Sequence, residues 1–404
     1  MSPALIPVDQ ALSRVLEQLS PLQGIESVPL AQALGRVLAQ SRPALIDVPA
    51  YDNSAMDGYA LRTAELRAND GVLPLSQTIA AGHPGTALAP GSVARIFTGA
   101  PIPAGADAVV MQENTEQLPN GIRVLESPRP GQNIRLRGHD IRAGGIVLEA
   151  GQLLQPQDLG LLASLGISEV EVRRPLTVAI LNTGDEVVAP GQPLGPGQLY
   201  DSNSFTLDAL LTRLGLRVLK LGIVADTLDA TMAALREAAG KADCLISTGG
   251  VSVGDEDHVR QAVTQLGDLS LWKLAIKPGK PFSFGRVLGV PFFGLPGNPV
   301  AVFVTFVTLV RPALLKLQGA TVLDAPGYRV PLGFAVPEAG SRQEYLRVRL
   351  VQRDGAEPCL EAFADQGSSL LTSLSWADGL AVIPAHTAPM AGERVLFLPF
   401  AGLY

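Results

Sequence analysis

Residues 176–187, LTVAILNTGDEV, open with an apolar run interrupted only by Thr177 and lead into a Gly-Asp-Glu turn. A run without polar alternation suits a strand covered on both faces, as in a parallel sheet packed between helices. The chain beyond it alternates. SNSFTLDALLTRLG (202–215), TLDATMAALREAAG (227–240), DHVRQAVTQL (257–266) and NPVAVFVTFVTLVRPALLKL (298–317) read as helices. RVLKLGIV (217–224), DCLIST (243–248), LWKLAI (271–276) and VPFFGL (290–295) read as strands between them. This predicts a doubly wound, mostly parallel sheet over 176–325, with ligands bound beyond the carboxyl ends of its strands.

Upstream, VDQALSRVLEQL (8–19) has helical spacing behind Asp9, a candidate cap, and PQDLGLLASL (156–165) returns to the same period. Between them, short apolar runs punctuated by Gly and Pro read as β structure with tight loops. The expected architecture is therefore a multidomain α/β chain. It has an N-terminal helical domain of residues 1–44 and 144–175, a β-rich insertion at 45–143 and the doubly wound domain at 176–325. A small C-terminal β domain follows at 326–404, where helical periodicity is lost.

Composition excludes several function classes. The 404 residues carry a formal net charge of −7 with 5% aromatics, which argues against a nucleic-acid footprint or base-stacking platforms. The longest apolar stretch, Val300 to Val310, falls short of the ~20 residues that span a bilayer, and no signal peptide is visible. A cytoplasmic protein is expected. Cys244 and Cys359 cannot form a Cys-rich zinc site, and the four histidines are scattered. All six lysines lie after residue 219, three of them within 273–280, in the apolar context WKLAIKPGKPFSFG.

The strand-end loops hold most of the chemistry. NTGDEV puts Glu186 at the first strand end, and Asp226 stands just before a helix. In STGGVSVGDEDH (247–258), Gly249 and Gly250 permit tight turns whose N–H groups, with Ser252, suit an anion, and Asp257 closes an acidic run. The plainer role for such acids is to complement a helix N-terminus. KPGKP sets Lys277 and Lys280 on a short turn, and GLPGNPV offers Pro296, Asn298 as N-cap and Pro299 at the first helical position. Lysines and free amides suit an oxyanion, and carboxylates suit a divalent cation. A phosphate-bearing ligand with Mg²⁺ meets both demands. Neither GxxxxGK[ST] nor GxGxxG is present.

These loops, with DVPAYDNSAMDGYALR (47–62) and FTGAPIPAGADAVVMQE (97–113), resemble the molybdopterin molybdenumtransferase family, to which the E domains of gephyrin and its plant counterpart are related. The resemblance spans essentially the whole chain. It implies transfer of molybdate to adenylylated molybdopterin, release of AMP, a requirement for Mg²⁺, and an elongated homodimer with its site shared between subunits. A transient contact with the molybdopterin adenylyltransferase is also implied. Residue by residue it implies catalytic roles for Asp57, Asp140, Glu186, Asp226 and Asp257, with Glu186, Asp226 and Asp257 as candidate Mg²⁺ ligands. By the resemblance, substrate binding falls to Thr98, Arg135, Lys273, Lys277, Arg347 and Ser368, and the loop chemistry above adds Gly249, Gly250, Ser252, Lys280, Pro296 and Pro299. SRQEYLRV (341–348) departs from the family pattern before its first arginine, which favours Arg347 over Arg342; NTGDEV also departs, with Asn182 where serine is commoner. The competing activity on the same type of domain is ATP-dependent molybdopterin adenylylation. A receptor-clustering scaffold is the competing class, and the chain shows no fused domain or long linker in its favour.

Overall fold

The protein, seen here as a computed structural model, is described over residues 5–67, 70–249, 257–352, 354–355 and 357–403. Its central sheet has six strands: β1 (Thr177–Thr183), β2 (Arg217–Val224), β3 (Cys244–Thr248), β4 (Gly267–Lys273), β5 (Pro281–Val287) and β6 (Val290–Leu295). Their order is β2-β1-β3-β6-β5-β4. The pairs β1–β2, β1–β3 and β3–β6 are parallel, whereas β5 runs against both β6 and β4. Helices cover both faces. Val178, Ile180 and Phe293 pack with helices Val8–Glu17, Asn203–Arg213 and Pro299–Leu317 on one side. Ala179, Leu181 and Phe292 pack with helices Leu228–Ala239 and His258–Leu266 on the other.

Strand β5 is absent from the sequence reading. It is joined to β6 by Leu288 (φ 50°) and Gly289 (φ 86°), a pair of left-handed residues that makes a tight hairpin turn. The strand expected at 271–276 also shifts. Strand β4 ends at Lys273, and Ile276–Lys277 instead pairs with Gln343 and Glu344 of the C-terminal sheet.

Helix Pro299–Leu317 is 19 residues long and apolar enough to cross a membrane, beyond the 300–310 stretch picked out by sequence. Within the protein, however, 89% of its most apolar 18-residue window is buried, as befits the central core helix. Among the described residues of 1–44 and 144–175, α-helix is confined to Val8–Glu17 and Pro156–Ser164, with one short 3-10 turn at Leu30–Gln32. The remaining paired segments are strands, Ile25–Pro29 with Glu169–Arg173 and Arg42–Pro43 with Ile146–Leu148. Pro7, not Asp9, holds the first N-cap position, and Asp9 sits in the first turn, where its charge meets the helix dipole. Val8, Ala11 and Val15 join the core of the central sheet.

Residues within 45–143 form a four-stranded sheet (Leu75–Ile79, Val93–Ile96, Gly58–Leu61, Ala108–Met111) and a three-stranded one (Val72–Leu73, Gly121–Val124, Thr115–Leu118). The C-terminal sheet runs Ile276–Lys277, Gln343–Val351, Gly379–Ile383, Arg394–Pro399, Tyr328–Pro331.

Candidate functional site

The carboxyl ends of the central strands open on a crevice of two adjoining cavities, about 580 Å³ and about 410 Å³, that share Gly297 and Asn298. The larger is lined by Glu186, Gly249 and Pro299, and the smaller by Lys277, Lys280, Pro296 and Ser368. Seven of the sequence-derived site residues thus converge. Gly249 turns the chain at φ 80°, a conformation that suits glycine, as its N–H donates to Leu295 O at 3.2 Å. Gly250 and Ser252 lie outside the described residues.

The KPGKP turn lies directly on the core helix. Gly279 has φ 111°, and a Cβ there would stand 2.6 Å from Thr305 Cγ2, so only glycine lets the turn lie so close. Its two lysines have different surroundings. Lys277 Nζ is 2.7 Å from Glu344 Oε1, whereas Lys280 has no ion-pair partner among the described residues.

Asn298 sits at the N-cap position of the core helix, but its side chain accepts nothing from the helix N–H groups. Its Nδ2 donates to Ser368 Oγ at 3.1 Å, and Ser368 O accepts from Val300 N at 3.0 Å. The C-terminal loop therefore supplies the cap, which places Ser368 at the mouth of the helix.

Arg347 is a correction. Only 1% exposed, it lines neither cavity. Its Nε donates to Ser373 Oγ (3.0 Å), its Nη2 to Gly367 O (3.0 Å) and its Nη1 to Tyr345 O (3.3 Å). Burial pulls its guanidinium below the usual arginine value. It braces the loop that presents Ser368. Arg342 lines the smaller cavity instead, with Nη1 held on Ile276 O at 3.2 Å. Sequence reasoning ranked Arg342 below Arg347 and read Asn298 only as a helix N-cap, because the contacts that bring both to the cavity join distant segments. For the buried Asn182 there was a signal, a polar residue ending an apolar strand.

Four carboxylates and one lysine stand elsewhere. Among the described residues, Asp257 is 7% exposed, and its Oδ1 accepts from Arg260 N at 2.9 Å as the N-cap of helix His258–Leu266. Asp226 is exposed beside Thr227, whose hydroxyl caps the next helix. Lys273 ends β4 at the sheet edge, and neither it, Asp226 nor Asp257 lines the two cavities. No three Asp, Glu, His or Cys side chains converge to hold a metal among the described residues. The expected Glu186–Asp226–Asp257 set is thus not gathered, and a magnesium ion held by these protein groups alone does not fit.

Asp57, Thr98, Arg135 and Asp140 line neither cavity of their own chain. Asp57 Oδ1 accepts from both the N–H and the hydroxyl of Thr98, each at 2.7 Å. These two bonds, the backbone one foremost, hold its carboxyl below the usual range against slight desolvation. Arg135 is exposed on a two-residue strand paired with Asn53–Ser54, and Asp140 is exposed after Gly138 and His139.

Comparison with known proteins then accounts for nearly all of the chain. The MoeA N-terminal region (domains I and II) matches residues 6–166, a probable molybdopterin binding domain 179–316, and the MoeA C-terminal region (domain IV) 329–400. A molybdopterin molybdenumtransferase of Haemophilus influenzae is 40% identical over 400 residues, covering 98% of this chain and 99% of its own. The chain belongs to the molybdopterin molybdenumtransferase family. The relative from Nostoc is 37% identical, with 98% of this chain and 93% of its own covered. A MoeA protein of Pyrococcus horikoshii has the same fold, with TM-score 0.84 and 29% identity over 98% of this chain and 100% of its own. In the family's terms, the crevice joins two matched regions. Glu186, Gly249, Lys277, Lys280, Pro296 and Pro299 belong to the molybdopterin binding domain, and Arg342 and Ser368 to the C-terminal region.

Proposed function

We propose that this chain inserts molybdenum into molybdopterin, using molybdate and the adenylylated pterin and releasing AMP. The observation that carries this reading is the smaller cavity. Lys277, Lys280 and Arg342 surround the start of a 19-residue helix, beside Ser368. Molybdate is a compact dianion. Lysine point charges, a guanidinium fork and the positive end of a helix suit such an oxyanion approached from several directions. The adjoining larger cavity, lined by Gly249, Glu186 and Tyr200, suits the pterin nucleotide. The shared wall at Gly297 and Asn298 would let the two ligands meet.

The finer features follow from the same reading. Magnesium enters with the substrate phosphates, which can supply most of its oxygen ligands. A homodimer explains why Asp57, Thr98, Arg135 and Asp140 are set apart from the crevice of their own chain, since a partner copy would bring them to it. The division into four domains, a cytoplasmic location and a passing contact with the adenylyltransferase belong to this reading as well. Adenylylation is the weaker reading, because the matches at 6–166 and 329–400 are to MoeA regions.

The test is product formation. Purified protein given adenylylated molybdopterin should release AMP only when molybdate is added. ATP consumption with free molybdopterin, and no molybdate-dependent AMP, would replace insertion with adenylylation.

A further inference from the structure

Residues 184–200 leave the central sheet after β1 and end at Asp201, just before helix Asn203–Arg213, forming a flap along the larger cavity. Val187–Val188 pairs with Leu199–Tyr200, Leu199 N donates to Glu186 O at 2.8 Å, and Asp201 N donates to Val188 O at 2.9 Å. The flap has no packing of its own to hold it. None of its residues belongs to a hydrophobic cluster, and 189–200 are exposed throughout. Yet it contributes Glu186 and Tyr200 to the cavity wall.

What fixes it is its neck. Asn182, the residue before the flap's first turn, is 3% exposed, and Asp201, just past its end, is 8% exposed. Asn182 Nδ2 donates to Asp201 Oδ1 at 2.7 Å and to Ser204 Oγ at 2.6 Å. Its Oδ1 accepts from Thr248 Oγ1 at 2.7 Å. Asp201 is further bound by Ser204 N (3.0 Å) and Ser204 Oγ (2.5 Å). The amide is thus used in full and in one orientation, with two donors toward a carboxylate and a hydroxyl and one acceptor toward a third strand end. It ties together the exit of β1, the start of helix Asn203–Arg213 and the end of β3.

We propose that Asn182 is a positioning residue for the reaction, clamping the neck of the 184–200 flap so that Glu186 and Tyr200 stand against the bound nucleotide. This rests on the crevice being the reaction site. Replacing the amide by an isosteric carboxylate, Asn182→Asp, turns the donor that faces Asp201 into a second acceptor. The ionisable group facing it is Asp201. On the neighbouring strands residue 182 is in register with Ile223 and Thr248, neither of which titrates, and Glu186 lines the same cavity. Two carboxylates at that spacing cannot both ionise readily, so the pair should take up a proton as pH falls and regain its O–H donor.

The experiment compares wild type, Asn182→Asp and Thr248→Val by hydrogen exchange and by molybdate-dependent AMP release between pH 6 and 8. For Asn182→Asp at pH 8, exchange should quicken in 184–201 with β2 and β6 unchanged. Its kcat should fall roughly 10–100-fold, as for a misplaced wall residue. Both deficits should narrow toward pH 6. Thr248→Val, which adds no charge, should quicken flap exchange without that pH dependence, and it decides the matter if Asn182→Asp does not fold. Wild-type behaviour of the flap in both variants overturns the proposal, as does a deficit equal at every pH with the whole sheet exchanging faster. A wild type that releases no AMP overturns the functional reading alone, because exchange still reports on the neck.

Discussion

The roles of the two arginines before and within strand Gln343–Val351 can be separated by one pair of substitutions, Arg347→Met and Arg342→Gln. Arg347 is 1% exposed and donates to two carbonyls, Tyr345 O and Gly367 O, besides Ser373 Oγ. Ser373 Oγ keeps a bond of its own, donated to Leu370 O at 2.6 Å, so methionine strands chiefly the two carbonyls. An orphaned buried acceptor costs ~1–3 kcal/mol, so the pair amounts to about 2–6 kcal/mol. Part of this is offset because methionine need not be desolvated as a cation, and Arg347 has no salt-bridge partner among the described residues. A net destabilisation of about 1–4 kcal/mol is expected, read as a lower urea midpoint at unchanged slope. Oxyanion affinity should fall with it, because the loop that Arg347 braces carries Ser368, whose carbonyl caps the core helix. Arg342→Gln should do the reverse. Stability should stay within about 0.5 kcal/mol for a group at a cavity rim. Molybdate affinity by titration calorimetry should fall by ~1.5–3 kcal/mol, about 10- to 150-fold. An Arg347→Met protein that keeps its urea midpoint while losing molybdate binding would refute this division and restore Arg347 as a direct ligand.

Two further outcomes concern charge. Lys280→Gln should weaken molybdate binding by ~1.5–3 kcal/mol, with the wild-type affinity falling as salt is raised. Glu344→Gln should tighten binding, because it frees the Lys277 ammonium now held at 2.7 Å; calorimetry at two ionic strengths checks both, and unchanged affinity in Glu344→Gln would show that the pair does not compete with the anion. For Asp57, the folded value lies below the unfolded one, so its contribution is complete above the unfolded carboxylate value of about 3.9 and is lost as pH falls through the lower folded value. Protection of the Thr98 amide should therefore stay level from pH 8 to 5 and be lost only below the ordinary carboxylate range, whereas Asp57→Ala should remove it at every pH. Loss of protection near pH 5 in the wild type would contradict the paired geometry.

The particular residues show which parts of this fold and site can be read from sequence. Strands β1, β3 and β6 were legible because burial on both faces demands unbroken apolar runs, and a local count detects such runs. Strand β5 was not, because PFSFGRV begins at a proline directly after a glycine-bearing loop and could pass for its continuation. Its turn also carries a left-handed leucine where a glycine or asparagine would have signalled the hairpin. The lysine-rich turn was legible as chemistry from residue type alone, but its electrostatics were not. Ile276–Lys277 leaves the central sheet to pair with Gln343–Glu344, and that distant pairing puts a carboxylate on one lysine and leaves the other open. Arg347 shows the same limit in reverse. In EYLRVRL the guanidinium looks like the polar member of a strand, yet the segment 366–373 folds over it and satisfies it with the Gly367 carbonyl and the Ser373 hydroxyl instead of a ligand. Sequence pattern thus reports what a residue needs, whether burial, a donor or a counter-charge. Which neighbour meets that need is decided by segments far apart in the chain, 70 positions apart for Asn298 and Ser368. The crevice is made where such needs cross. The helix start lacks a side-chain cap of its own, the C-terminal loop provides one, and the cations around that junction, Lys280 without an ion-pair partner among the described residues and Arg342 with one bond to Ile276 O, are those an incoming oxyanion would meet.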